Sequence, residues 1–207
     1  MIDSSIRPMM ARPLGSVAAV LDRPGITADG VTLAGLVVGL AAAVSAGFAW
    51  WSAALVLWLA SRILDGLDGE LARRRRASGA ADSGAGGFLD ITADFVVYGA
   101  FVVGVGIGSG DDLLPFLLVL LAYYLNGSAF LAFSSIAERH GRALDDGRSL
   151  SFLGGLAEGA ETVAVHALWC LLPAHAAGIA WVWAGVVLVS AVTRVVVGYR
   201  TLRREPG

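Results

Sequence analysis

The stretch RILDGLDGELARRRR, Arg62 to Arg76, sets two carboxylates, Asp65 and Asp68, into a segment that otherwise reads as apolar. GGFLDITAD, Gly86 to Asp94, does the same with Asp90 and Asp94. What surrounds these two stretches decides the fold. Of 207 residues, 57% are hydrophobic and only 15% charged, where a soluble domain is about a quarter charged. Mean hydropathy is +0.72. This composition excludes an ordinary water-soluble domain and indicates an integral membrane protein. The net charge of −2 is uninformative about partners, and no nucleic-acid partner is expected. Cys170 is the single cysteine, so the chain can form no internal disulfide. The first thirty residues hold no continuous apolar run of the signal-peptide kind.

A helix crossing the bilayer needs roughly 20 mostly apolar residues. Working outward from the acidic stretches, six such segments are predicted: Val31 to Ala49, Ser52 to Arg73, Gly86 to Gly106, Leu113 to Ser135, Phe152 to Leu172 and Gly178 to Tyr199. The connections are short, so the chain reads as one all-α bundle, residues 1–207, with residues 1–30 as a leader. All fifteen basic residues are arginine. Apart from Arg62 and Arg194, they fall before the first span (Arg7, Arg12, Arg23), after the second (Arg73 to Arg76), between the fourth and fifth (Arg139, Arg142, Arg148) and at the end (Arg200, Arg203, Arg204). The connections near Trp50, Asp111 and His175 hold none. The excess of arginine on cytoplasmic loops places both termini in the cytoplasm of an inner-membrane protein. SSIRPMMARPLGSVAAVLDR, Ser4 to Arg23, mixes apolar residues with spaced arginines and suits an interfacial helix. Pro8 and Pro13 would interrupt its early part.

That orientation brings both acidic pairs to one depth near the cytoplasmic surface. Asp65, Asp68, Gly69, Ala72 and Arg73 share one helical face, and Gly86, Asp90 and Asp94 form an i, i+4, i+8 stripe on the next helix. A lone acid near a helix end reaches water by snorkelling, but four at matched depth on two faces call for another compensation. Burying even one unpaired charge costs about 3 kcal/mol on insertion scales. Hard divalent cations solve this, since Mg²⁺ pairs with a few carboxylates and with substrate phosphates. Two ions about 4 Å apart can activate a nucleophile and stabilise a leaving phosphate together. Gly69 and Ala72 leave room for a ligand against the helix, and Arg73 offers a planar fork for phosphate oxygens.

These residues resemble the signature of the CDP-alcohol phosphotransferase family, D-x-x-D-G-x-x-A-R followed by G-x-x-x-D-x-x-x-D. Every defining position is present: Asp65, Asp68, Gly69, Ala72, Arg73, then Gly86, Asp90 and Asp94. The layout of about 200 residues and six spans is also similar to that family. RPGITADGVTLAG (Arg23 to Gly35) and SFLGGLAEGAET (Ser151 to Thr162) resemble a bacterial inner-membrane branch of it. Two departures stand out. The spacer between Arg73 and Gly86 is longer than usual, and Asp29 stands where many relatives carry asparagine.

The resemblance implies transfer of a phosphoalcohol group from a CDP-linked donor, CDP-diacylglycerol foremost, to a hydroxyl acceptor with release of CMP. It implies that Asp65, Asp68, Asp90 and Asp94 hold Mg²⁺ or Mn²⁺, two ions, with Asp94 also the general base. It further implies that Asp68, Gly69, Ala72, Arg73 and Gly86 line the CDP site, and that the protein is a homodimer. Gly35 and Gly39 offer a small-xxx-small pair that bears weakly on any interface. Glu158 and Glu161, at i, i+3, are candidates for the acceptor pocket and suit a cationic or polyhydroxy acceptor; Arg194 is the rival clue, for a phosphorylated one. Arg62 is expected to snorkel or pair with an acid, and His140, His166 and His175 show no ligand spacing. The alternatives are an intramembrane Mg²⁺-dependent prenyltransferase and, less favoured, a cation transporter.

Overall fold

The computed structural model describes residues 13–23, 25–79, 83–140 and 159–203. The described residues are helical, with no strand among them. Residues 13–21 form α1, followed by α2 (Ala28–Gly47), α3 (Trp51–Ala77), α4 (Ala85–Ser109), α5 (Leu114–Arg139), α6 (Gly159–Leu171) and α7 (Ala176–Arg203). Four helices, α2, α4, α5 and α7, are long and apolar enough to cross a membrane on length and composition.

The six-span expectation is therefore met in part. α3 is long enough at 27 residues. Its last four turns, however, carry Arg62, Asp65, Asp68, Glu70 and Arg73 to Arg76, which remove it from the strongly apolar set. α6 is described over 13 residues only. The earlier part of the expected fifth span, with Phe152 and Glu158, lies outside the described residues, as do Arg7, Pro8, Arg12, Arg142, Arg148 and Arg204.

Local chemistry sets the helix boundaries. Thr27 caps α2 with an extended backbone, its hydroxyl accepting from the Gly30 amide at 3.0 Å. Pro115 stands in the first turn of α5, where its missing N–H costs nothing. Pro173 ends α6, as the sequence predicts, and a single 3-10 turn, Pro173–His175, leads directly into α7. Trp169 Nε1 donates to the Ala176 carbonyl at 3.2 Å and so pins that corner.

α2 packs on α3 and α4, α5 packs on α7, and α6 leans on α3. α2 and α4 run parallel and touch along their length, from Asp29 beside Gly86, through Gly39 beside Val97, to Ala43 and Ala46 beside Gly104 and Gly108. A Cβ on Gly104 or Gly108 would strike the Ala43 or Ala46 carbonyl, so only glycine permits this approach. Gly35 and Gly39 serve the same purpose inside the chain. Gly35 lies against Leu64 of α3, and a methyl on Gly39 would stand 2.6 Å from Val97 and 2.8 Å from Ser61. The small-xxx-small pair is thus spent on packing within the bundle.

Trp58, Phe101, Val97, Val105, Val119, Trp169 and Val187 are all fully or nearly fully buried in one core. A hydrogen-bonded chain runs through it: Trp183 Nε1 donates to Tyr123 Oη at 2.7 Å, and Tyr123 Oη lies 2.9 Å from His166 Nε2. Tyr123 Oη accepts from Trp183, and the direction of its bond with His166 Nε2 is set by the imidazole tautomer. A second, smaller cluster binds α1 to the rest. Leu14 and Leu21 pack with Ile26 and Leu64 around Val31, Leu67 and Leu71. Pro13, expected to interrupt this leader, is helical, as its fixed φ allows in a first turn. Large apolar side chains such as Val37, Val56, Ile107, Leu117, Val182 and Val192 remain exposed around the bundle. A monomer in water rarely presents so much contiguous apolar surface, and lipid is its natural solvent.

Candidate active site

α3 carries the first acidic pair, Asp68 beside the Leu64 and Leu71 cluster and Asp65 further round the helix, and α4 brings the second pair toward it. One guanidinium joins them. Arg62 Nη1 donates to Asp94 Oδ1 at 2.6 Å and lies 3.7 Å from Asp65 Oδ1. Asp65 also feels the charges of Asp90 and Asp94, and Asp68 those of Asp90 and Asp94, so the four carboxylates occupy one electrostatic neighbourhood. Asp65 and Asp94 side chains are about one-third exposed, at 34% and 35%. Asp68 is buried at 4%.

Around this group stand the other residues that the signature implicates. Gly69 lies under Arg73, whose Nη1 would be 3.3 Å from a Cβ placed there. Arg73 is exposed and holds Glu70, with Nη2 to Oε2 at 2.8 Å. Ala72 is half-buried beside it. Gly86 stands in the first turn of α4, and a Cβ there would stand 3.2 Å from Asp29 Oδ1 of α2. Asp29 therefore sits beside Gly86, one turn before Asp90 on α4. α1 closes the far side of α3: Leu14 approaches Gly66, Gly15 approaches Glu70, and Asp22 pairs with Arg75 at 3.2 Å. Arg75 also donates to the Ile26 carbonyl.

Glu161 is half-buried in the first turn of α6. Arg194 is buried on α7, its guanidinium carbon 5.6 Å from the Phe130 ring centroid. Glu158 lies outside the described residues. Glu161 and Arg194 stand on different helices from the four aspartates. His140 follows α5, His175 ends the 3-10 turn before α7, and His166 belongs to the core.

The donor set suits a hard divalent cation. Its ligands are carboxylate oxygens alone, four acids face one guanidinium, and buried Asp68 Oδ2 has no hydrogen-bond partner among the described residues. Yet no three His, Cys, Asp or Glu side chains among the described residues are drawn together as a ligand cage. Asp94 is instead committed to Arg62. Sequence reasoning gave Arg62 no role in the site. Its position three residues before Asp65, on the same face, is the signal that was there to use.

Comparison with known proteins places these observations. A profile of the CDP-alcohol phosphatidyltransferase family matches residues 26–196. The chain is 40% identical over 208 residues to the inner membrane protein YnjF of Escherichia coli K12, covering 98% of each. It is 39% identical over 119 residues to the archaetidylinositol phosphate synthase of Methanothermobacter thermautotrophicus, 56% of each chain. Its fold is similar to that of the Mycobacterium tuberculosis phosphatidylinositol phosphate synthase with CDP-DAG bound. The TM-score is 0.73 at 21% identity, over 95% of this chain and 99% of the other. The same enzyme in complex with manganese and citrate gives a TM-score of 0.71 at 20% identity, over 94% and 93%.

Proposed function

The chain belongs to the CDP-alcohol phosphatidyltransferase family, and from that premise we propose that it moves a phosphatidyl group from CDP-diacylglycerol to a hydroxyl acceptor, releasing CMP. That it is a membrane phosphotransferase of phospholipid biosynthesis follows from the family itself. Membership sets aside the prenyltransferase and transporter alternatives. The observation that carries the finer reading is the meeting of the two acidic faces across one guanidinium, with an Asp68 oxygen left unsatisfied.

The family is metal-dependent. Asp65, Asp68, Asp90 and Asp94 would hold magnesium or manganese, as two ions, whose chemistry is to neutralise the diphosphate and the departing CMP. Arg73, exposed and paired with Glu70, reaches a phosphate of the donor, while Gly69, Ala72 and Gly86 leave space for the nucleotide. Asp94 takes the proton of the acceptor hydroxyl. The acceptor oxygen attacks the phosphorus that carries diacylglycerol, and the bond from that phosphorus to the oxygen of CMP breaks. Such a transfer depends on positioning and charge stabilisation more than on covalent help from the protein.

The acceptor pocket is assigned to Glu158, Glu161 and Arg194, with the site and both termini facing the cytoplasm and the protein a homodimer. Supporting the donor is the CDP-DAG bound by the mycobacterial structural neighbour. The test is direct. Purified protein with CDP-diacylglycerol, Mg²⁺ or Mn²⁺ and a panel of labelled alcohols should release CMP with at least one alcohol, and chelation should abolish the release. No CMP from any combination would sink this reading.

A further inference from the structure

We infer that Arg62 is a positioning residue for the transfer: it fixes the orientation of the Asp94 carboxylate and acts as the acidic patch's own counter-cation, in competition with a divalent ion. This rests on the reading just given for Asp94. The argument begins with how firmly the guanidinium is held. The Arg62 side chain is only 9% exposed. Its Nη2 donates to Ser61 Oγ at 3.1 Å, and Ser61 Oγ donates to the Gly35 carbonyl at 2.8 Å. Its guanidinium carbon lies 4.8 Å from the Tyr98 ring centroid and 5.1 Å from that of Trp58. Both rings pack against the His166 imidazole. Three helices therefore set the fork: α2 through Gly35, α3 through Ser61 and Trp58, and α4 through Tyr98.

From that fixed base Nη1 grips Asp94 at 2.6 Å and reaches toward Asp65. A flexible surface pair would restrain neither partner. Here the cation is anchored and the carboxylate is one-third exposed, so the anchored group dictates where the exposed one points. The planar fork also explains arginine over lysine, because one guanidinium stacks on two rings while sharing donors between Ser61 and Asp94. The same contact opposes metal loading. A positive charge already touching Asp94 and near Asp65 repels a second cation and occupies an oxygen that could ligate it.

Two full-length variants, Arg62→Gln and Arg62→Lys, decide the matter. The first readout is Mn²⁺ binding by electron paramagnetic resonance, without substrate. Removing the competitor should tighten Mn²⁺ binding roughly fivefold or more in Arg62→Gln, by linkage. The second readout is kinetic. Arg62→Gln should lower kcat by about 100-fold, the scale of an ångström-sized misplacement, with KM for the CDP donor unchanged within about twofold. Arg62→Lys should recover part of kcat. Weakened or unchanged Mn²⁺ binding overturns the counter-cation role, and an unchanged kcat overturns the positioning role. Should Arg62→Gln fail to fold, Arg62→Lys, which keeps the charge and loses the fork, carries the kinetic comparison alone: full wild-type kcat would overturn the proposal. A wild-type protein that releases no CMP defeats the functional reading, while the Mn²⁺ titration still judges Arg62.

Discussion

Two polar clusters share this bundle: the Trp183–Tyr123–His166 chain in the core, and the Arg62–Asp94–Asp65 group nearer one end of α3 and α4. The first is neutral, and His166 is fully buried. Its partners come from α5, α6 and α7, and it ties those helices together. The second is charged, its outer carboxylates are one-third exposed, and an oxygen on neighbouring Asp68 is left without a partner. The core chain ties the fold together because Trp183, Tyr123 and His166 Nε2 bond to one another inside the protein. A charged group open on one side retains binding capacity for something the chain does not itself supply. The two are joined by Trp58 and Tyr98, which touch both Arg62 and His166.

The comparison predicts a double dissociation, and the largest expected effect tests it first. Asp94→Asn should lower CMP release by about 10³-fold, or about 4 kcal/mol of barrier, while the thermal midpoint in detergent moves little. A collapse of the midpoint along with activity would make the charged cluster a structural element as well. Next comes Trp169→Ala, fully buried and away from Arg62. It should cost about 3 kcal/mol of stability, read by thermal unfolding, with Mn²⁺ affinity preserved. Arg73→Lys should raise KM for the CDP donor about tenfold, some 1.4 kcal/mol, by losing the bidentate fork. Smallest is Tyr123→Phe. Deleting the hydroxyl breaks both bonds of the chain and should lower stability by about 1.2 kcal/mol, twice the average for one hydrogen bond between membrane helices, and leave kcat as it was.

How far the sequence reveals all this depends on the distance between partners along the chain. The acids of each helix are three and four residues apart, so their faces follow from helical geometry alone. Thr27 and Pro173 mark boundaries through their own backbone chemistry. Arg62 and Asp94 are 32 residues apart on different helices, and no local rule joins them. The same holds for Tyr123 with His166, 43 apart, and Trp183 with Tyr123, 60 apart. Gly35 and Gly39 show the limit of a motif. Small residues at that spacing announce a close helix neighbour without saying which, and here the neighbours are α3 and α4 of the same chain. α3 shows the converse limit, since the charges that make it chemically informative also lower its apparent fitness for the membrane.

The backbone contact of Gly104 and Gly108 with Ala43 and Ala46 lies at the opposite end of the α2–α4 pair from Asp29 and Gly86. It sets how closely the two helices approach at that end, and with it their crossing angle. Gly104 and Gly86 are 18 residues apart, which is about 27 Å along a helix at 1.5 Å per residue. A 5° change of crossing angle at that contact thus swings the tips by roughly 2 Å. The separation of Asp29 from Gly86 is thereby tied to two hydrogens at the other end, standing where any other residue would carry a carbon.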